Sequence, residues 1–249
     1  MELSTVAIVT GASRGLGHAL ALSLLKPGTQ LITIARSHNA ALAAQAAESG
    51  GLLQQVQADL ADPAAATASA KEVMASLPQG AQRYLLINNA GTVEPINQAP
   101  SLDDAAAIAT AFNLNVTSVM LLTSAFLQAT QGAPDRRILN ISSGAGRNPM
   151  PGWAVYCATK AALDHYTQVL HAENHGVRIA SLAPGVIDTG MQEQIRGSDA
   201  SSFPNVERFT QMHEQGQLSA PDAVAEKILR YIAQDNFGAT VLDDIRNYA

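Results

Sequence analysis

Short apolar runs rich in Val, Ile and Leu recur at residues 6–9, 31–34, 53–57, 85–88, 138–142, 178–183 and 240–242. Between them lie longer, mostly Ala-rich segments whose apolar positions return at helical spacing. Strand-length runs alternating with amphipathic helices predict βαβ units, and hence an α/β chain built on a doubly wound parallel sheet of about seven strands flanked by helices. Some helix ends are readable locally. Asp62-Pro63 joins an N-cap to a proline at the first helical position, Ala220-Pro221-Asp222 opens another helix in the same manner, and Gly50-Gly51 closes the helix ending at Glu48-Ser49. The Ala-rich stretch 40–75 keeps the Leu and Val spacing of helices lying on a sheet, which distinguishes it from a disordered linker.

One segment breaks the alternation. Residues 191–216 hold two helical pieces interrupted by Gly197, Ser198, Ser201, Ser202 and Pro204. An insertion of this kind is expected to cover a ligand site. The remaining pattern is continuous, and 249 residues with 47% hydrophobic content can bury one sizeable core, so a single domain, 1–249, is expected.

Charge and cysteine content narrow the function classes. Acidic residues outnumber basic ones by 21 to 15, with Lys and Arg scattered, so there is no basic footprint for nucleic acid or for an anionic membrane. No apolar stretch is expected to span a bilayer. The single cysteine, Cys157, excludes an internal disulfide and a multi-cysteine metal site; it reads as a small helix residue without chemistry, and fits a reducing, cytoplasmic setting. Glu2 stands where a signal peptide carries bases.

Directly after the first predicted strand comes Thr10-Gly11-Ala12-Ser13-Arg14-Gly15-Leu16-Gly17, followed by a helix-forming run. Strand, glycine turn and helix is the order a dinucleotide site requires. A pyrophosphate must approach the backbone closely, and the free amides of the new helix meet its charge. The spacing, G-x-x-x-G-x-G, differs from the usual G-x-G-x-x-G, so a purely structural tight turn is an open alternative for the motif alone. Arg36 ends the second predicted strand, where an acid would take a ribose hydroxyl; an arginine suits a 2′-phosphate, and Arg14 offers a second positive charge. Either could instead be a solvated surface charge. Farther on, Tyr156 and Lys160 stand four residues apart and share a helix face. A neighbouring ammonium stabilises a phenolate, so the pair is expected to bring the phenol toward the working range of a proton shuttle.

The glycine turn, Asn88-Asn89-Ala90-Gly91, Asn115, Ser142-Ser143, Tyr156/Lys160 and Pro184-Gly185 together resemble the short-chain dehydrogenase/reductase family over nearly the whole chain. The resemblance implies a single-domain Rossmann fold and an NADP(H)-dependent oxidoreductase reducing a carbonyl by hydride transfer. It implies Tyr156 as general acid and Lys160 as the group that lowers its pKa and binds the nicotinamide ribose. Ser143 would hydrogen-bond the substrate oxygen, Ser142 pointing away, and Asn115 would hold a water in the proton relay. Cofactor contacts would come from Gly11, Ser13, Arg14, Gly15, Leu16, Gly17 and Arg36, from Asp59 and Leu60 near the adenine, from Asn88, Ala90 and Gly91, and from Pro184, Gly185, Val186, Ile187 and Thr189 around the carboxamide.

The runs 151–157, 188–192 and 208–218 further resemble sepiapterin reductases and bacterial benzil reductases, which reduce one carbonyl of a vicinal dicarbonyl. That likeness implies a mostly apolar pocket, for which Met150, Trp153, Met191, Phe203, Phe209 and Met212 are candidates. Pterin-specific members anchor their substrate on a C-terminal acid. Asp243 and Asp244 are both candidates, and a shift of one residue would send the carboxylate to the wrong side of a strand, which places a diketone ahead of a pterin. Competing readings are a non-catalytic NADP(H) sensor or structural protein and an alcohol dehydrogenase working oxidatively. The likeness implies no metal and a homodimer, or a homotetramer, formed through helices beginning near Asn115 and Gly152, where Ala161, Ala162 and Val169 would let helices approach.

Overall fold

In the computed structural model, which describes residues 3–248, six of the seven apolar runs form strands and a seventh strand begins at the last residue of the remaining run. They are β1 (Thr5–Thr10), β2 (Thr29–Ala35), β3 (Leu52–Gln57), β4 (Arg83–Asn88), β5 (Asp135–Ile141), β6 (Arg178–Ala183) and β7 (Leu242–Asp244). All neighbours pair in parallel, in the order β3-β2-β1-β4-β5-β6-β7. A parallel sheet is covered on both faces, which is why its central strands read as unbroken apolar runs. Residues 6–9 of β1 are at most 1% exposed. The edge strand β3 carries Leu52 exposed and three glutamines instead. The last strand starts two residues later than its apolar run suggested, so that Asp243 and Asp244 are strand residues.

Alternate strand residues feed two cores. On one side Val9, Leu31, Ile87 and Leu139 pack under α1 (Gly15–Leu24), α2 (Ala40–Ser49) and α9 (Pro221–Ala233). On the other, Ile8, Ile32, Leu86 and Ile138 pack under α3 (Pro63–Ala75), α5 (Ser118–Ala129) and α6 (Ala154–Glu173). The local signals for helix ends behave as expected. The Asp62 carboxylate accepts from Ala64 N at 2.9 Å with Pro63 at the first position, and Gly50 closes α2 with φ 65°. Ala220 supplies no side-chain cap to α9, which leans on Pro221 alone.

Helix α4 (Ala105–Phe112) runs through a π-helical turn, Asn113–Thr117, into α5. The resulting rod, Ala105–Ala129, is long and apolar enough to cross a membrane, with a mean hydropathy of 1.6, contrary to the expectation that no stretch approaches that length. Its apolarity has a use within the fold: Leu122 and Phe126 are sealed in the core beneath it. The segment that broke the alternation folds as α7 (Gly190–Arg196) and α8 (Val206–Glu214), packed against each other over the carboxyl end of the sheet.

Candidate active site

At the carboxyl ends of β1 to β6 the connecting loops open onto one cavity of about 800 Å³. The glycine turn forms its floor. A Cβ on Gly11 would lie 2.9 Å from the Ala90 Cα, and one on Gly17 would run into the Gly11 carbonyl oxygen, so both positions exclude a side chain. Arg14, preceding α1, makes no side-chain cap, and the first helix amides stay available to a ligand. Thr10 stitches this turn to the loop after β4, its hydroxyl accepting from Asn89 N and Ala90 N at 2.9 Å each. Ser13, Arg14, Gly15, Leu16, Arg36, Asp59, Leu60, Ala90 and Gly91 all line the cavity, as do Pro184, Gly185, Val186, Ile187 and Thr189 on the opposite side. Among the described residues neither Arg14 nor Arg36 is ion-paired.

Two of the predicted contacts lie elsewhere. Asn88 is buried under the sheet, donating to Asn140 Oδ1 at 2.8 Å and to Thr123 Oγ1 at 3.3 Å, because the last residue of β4 points into the helix layer. Asn115, in the π turn, is 1% exposed and lies behind the cavity wall. Its amide donates to Thr92 O at 2.9 Å and to Thr159 Oγ1 at 3.0 Å, and accepts from Thr92 N at 2.9 Å. The side chain therefore ties the β4 loop to α6. Sequence reasoning missed Asn39, whose amide donates to Ser13 O at 3.1 Å and pins the turn after Arg36 to the glycine turn.

Tyr156 and Lys160 sit one turn apart on α6, 7% and 5% exposed, facing the cavity with Ser143. Ser143 caps a short 3-10 turn, Gly144–Gly146, its hydroxyl accepting from Ala145 N at 3.1 Å. Ser142 also lines the wall, its hydroxyl buried without a partner. Lys160 Nζ donates to the Ile141 carbonyl at 2.8 Å and lies 5.7 Å from the centre of the Tyr156 ring. Burial pushes the Tyr156 phenol up to about 12, with the neighbouring Ser143 hydroxyl pulling the other way. Burial pushes Lys160 down to about 8, opposed by the charge of Asp164. The pair thus departs from the expected lowering of the phenol, because desolvation outweighs the neighbouring hydroxyl.

The far end of the cavity is apolar. Met150, Trp153, Met191, Phe209 and Met212 form its wall. Phe203 does not reach it; this ring is 0% exposed and stacks behind Trp153 with centroids 4.7 Å apart, so it supports the wall without contacting a ligand. The C-terminal acids separate by strand register. Asp243 points inward and accepts from Tyr248 and Asn247, whereas Asp244 lines the cavity, ion-paired with Arg246 at 2.6 Å.

A family model described as short chain dehydrogenase matches residues 5–200. A benzil reductase, (S)-benzoin forming, from Bacillus cereus is 37% identical over 236 residues, covering 92% of this chain and 94% of the relative. A sepiapterin reductase from Meriones unguiculatus is 37% identical over 248 residues, covering 93% and 92%. The crystal structure of a short-chain dehydrogenase/reductase from Burkholderia vietnamiensis superimposes with a TM-score of 0.69 at 36% identity, covering 99% of each chain.

Proposed function

The chain belongs to the short-chain dehydrogenase/reductase family of oxidoreductases, and from that premise we propose that it is an NADPH-dependent reductase of one carbonyl in a vicinal diketone. The observation that carries this reading is the placement of the Tyr156 hydroxyl beside Ser143, between a groove floored by the glycine turn and an apolar wall. The close approaches at Gly11 and Gly17 hold the glycine turn tightly against the loop after β4, which leaves its backbone along the cavity where a pyrophosphate would lie. Arg36 and Arg14, free of carboxylate partners among the described residues, are suited to hold a 2′-phosphate by charge-assisted hydrogen bonds. When bound, the nicotinamide supplies the hydride that reduces the carbonyl carbon.

The protein's own part is acid catalysis and orientation. Ser143 donates a hydrogen bond to the carbonyl oxygen and fixes its direction. The Tyr156 hydroxyl delivers its proton to the oxygen as alkoxide character develops, and the Lys160 ammonium steadies the phenolate left behind. Asn115 acts through its amide, which keeps Thr92 and Thr159 in register beside the pair. Trp153, Phe209 and Met191 exclude water from the reacting carbon. The name of the Bacillus cereus relative supports a diaryl diketone as substrate. A pterin side chain is the second reading, favoured by the position of Asp244 at the cavity; its ion pair with Arg246 leaves that carboxylate less free to bind a pterin, which keeps the diketone ahead. The exposed apolar residues Phe112, Met120 and Val169 lie on α4, α5 and α6 and fit a second copy of the chain.

The deciding assay follows NADPH oxidation with benzil, sepiapterin and simple aldehydes. Tyr156→Phe is expected to lower kcat at least about a hundredfold while NADPH binding, read by calorimetry, is retained. Full activity in that variant would rule out the acid role, and NADPH binding without turnover over the whole panel would favour a sensor.

A further inference from the structure

Asp164 lies one turn beyond Lys160 on α6 and is 4% exposed, a burial that a carboxylate tolerates only with partners. It has two. Oδ1 accepts from the Ser181 hydroxyl of β6 at 2.6 Å, and Oδ2 accepts from Arg147 Nε at 3.0 Å. Arg147 commits its other two nitrogens to main chain: Nη1 donates to the Asp243 carbonyl of β7 at 2.9 Å and Nη2 to the Ser181 carbonyl at 3.2 Å. Arg147 follows the 3-10 turn that Ser143 caps, and that turn sits closely on α6, since a Cβ on Gly146 would lie 2.8 Å from the Lys160 carbonyl carbon. One ion pair therefore joins the Ser143 loop, the Tyr156/Lys160 helix and the two last strands. Neither member lines the cavity, so any effect on the reaction passes through other residues.

We propose that Asp164 and Arg147 are a positioning pair for the acid group, Arg147 seating the Ser143 loop on α6 and Asp164 serving as the internal counter-charge of the Lys160 ammonium. The proposal rests on the reductase reading given above. The charged and titratable groups around Lys160 are few. Tyr156, Cys157 and Asp164 share its helix, Arg147 comes from the loop, and Asp243 of β7 stands beyond Arg147, held by Tyr248 and Asn247. β5 and the π turn present only a carbonyl and the Asn115 amide, and α4 carries no charged side chain. The two members of the pair act on Lys160 with opposite sign. Removing the carboxylate weakens the hold of the ammonium on its proton, and removing the guanidinium strengthens it. A clamp of purely structural value would not produce opposite shifts.

The test is lysine Cε NMR titration of the cofactor-free full chain. It contains four lysines, of which Lys160 alone is buried, and Lys160→Met identifies its signal. Asp164→Asn is expected to move the Lys160 titration downward by about one unit, Arg147→Met to move it upward, and Arg147→Lys to leave it near the native value while kcat falls. The alkaline limb of kcat/KM should follow the same order, with the KM for NADPH unchanged. Shifts that are absent, or of one sign in both variants, would overturn the proposal. If Asp164→Asn does not fold, the two Arg147 variants decide alone. Opposite shifts in a chain that oxidises no NADPH with any carbonyl would reject the reductase reading and leave the charge pairing standing, whereas normal turnover with unmoved titrations would do the reverse.

Discussion

At the scale of single residues, the proposed preference for NADP(H) turns on Arg36. It directly follows β2 at the cavity, outside any ion pair among the described residues, so an acid in its place would repel a 2′-phosphate and accept ribose hydroxyls. Arg36→Asp is expected to raise the KM for NADPH at least about tenfold while lowering that for NADH; an unchanged ratio would dismiss the 2′-phosphate assignment. Its place at the cavity was legible in the sequence because that place follows from a fixed offset from a glycine turn. Tyr156 and Lys160 were legible for the same reason, their spacing being set by one helix. Asn39, Thr10, Asp164 and Arg147 were not, because each is an ordinary polar residue until the fold brings it to a partner far away in the chain. Asn88 and Phe203 failed in the opposite sense. Asn88 stands next in line to Asn89 of the cavity and Phe203 stacks on Trp153 of its wall, yet strand alternation and ring stacking turn both into the interior.

At the scale of elements, strand positions followed from apolar runs, whereas the register of β7 did not, since three residues at an edge carry too little pattern to fix a face. The far end of the sheet shows what electrostatics adds between elements. Asp135 at the start of β5 is bonded by Arg83 of β4, Arg178 of β6 and the buried Arg137 of its own strand. Burial pushes its carboxyl up, but the hydrogen bonds from Arg137, Arg83 and Arg178 outweigh it and hold the group at about 2. A carboxyl depressed on folding stabilises the chain above its ordinary value of 3.8, and the gain is lost as pH falls from there toward 2. Asp135→Asn leaves Arg137 buried without its partner. It should lower Tm at neutral pH by about 5 °C or more and flatten the loss of Tm between pH 4 and 2; a parallel downward offset at every pH would show that the charge is not responsible.

At the scale of the whole molecule, the loops that line the cavity leave the same end of one sheet, while α7 and α8 close over it and the α4–α6 face is left outward with Phe112, Met120 and Val169. Light scattering on the eluting protein is expected to give twice the 26.0 kDa of the chain, and Met120→Glu to give a single chain; a monomer before substitution would remove the homodimer from the proposed function. The architecture also confines the chain's optical reporter to one place. Trp153 is the sole tryptophan, and it sits edge-on to Tyr156 at 5.5 Å and face-on to Phe203. Its emission therefore carries no background from other tryptophans, and the protein arrives with its own fluorescent gauge of what enters beside Tyr156, readable without a label and before any turnover takes place.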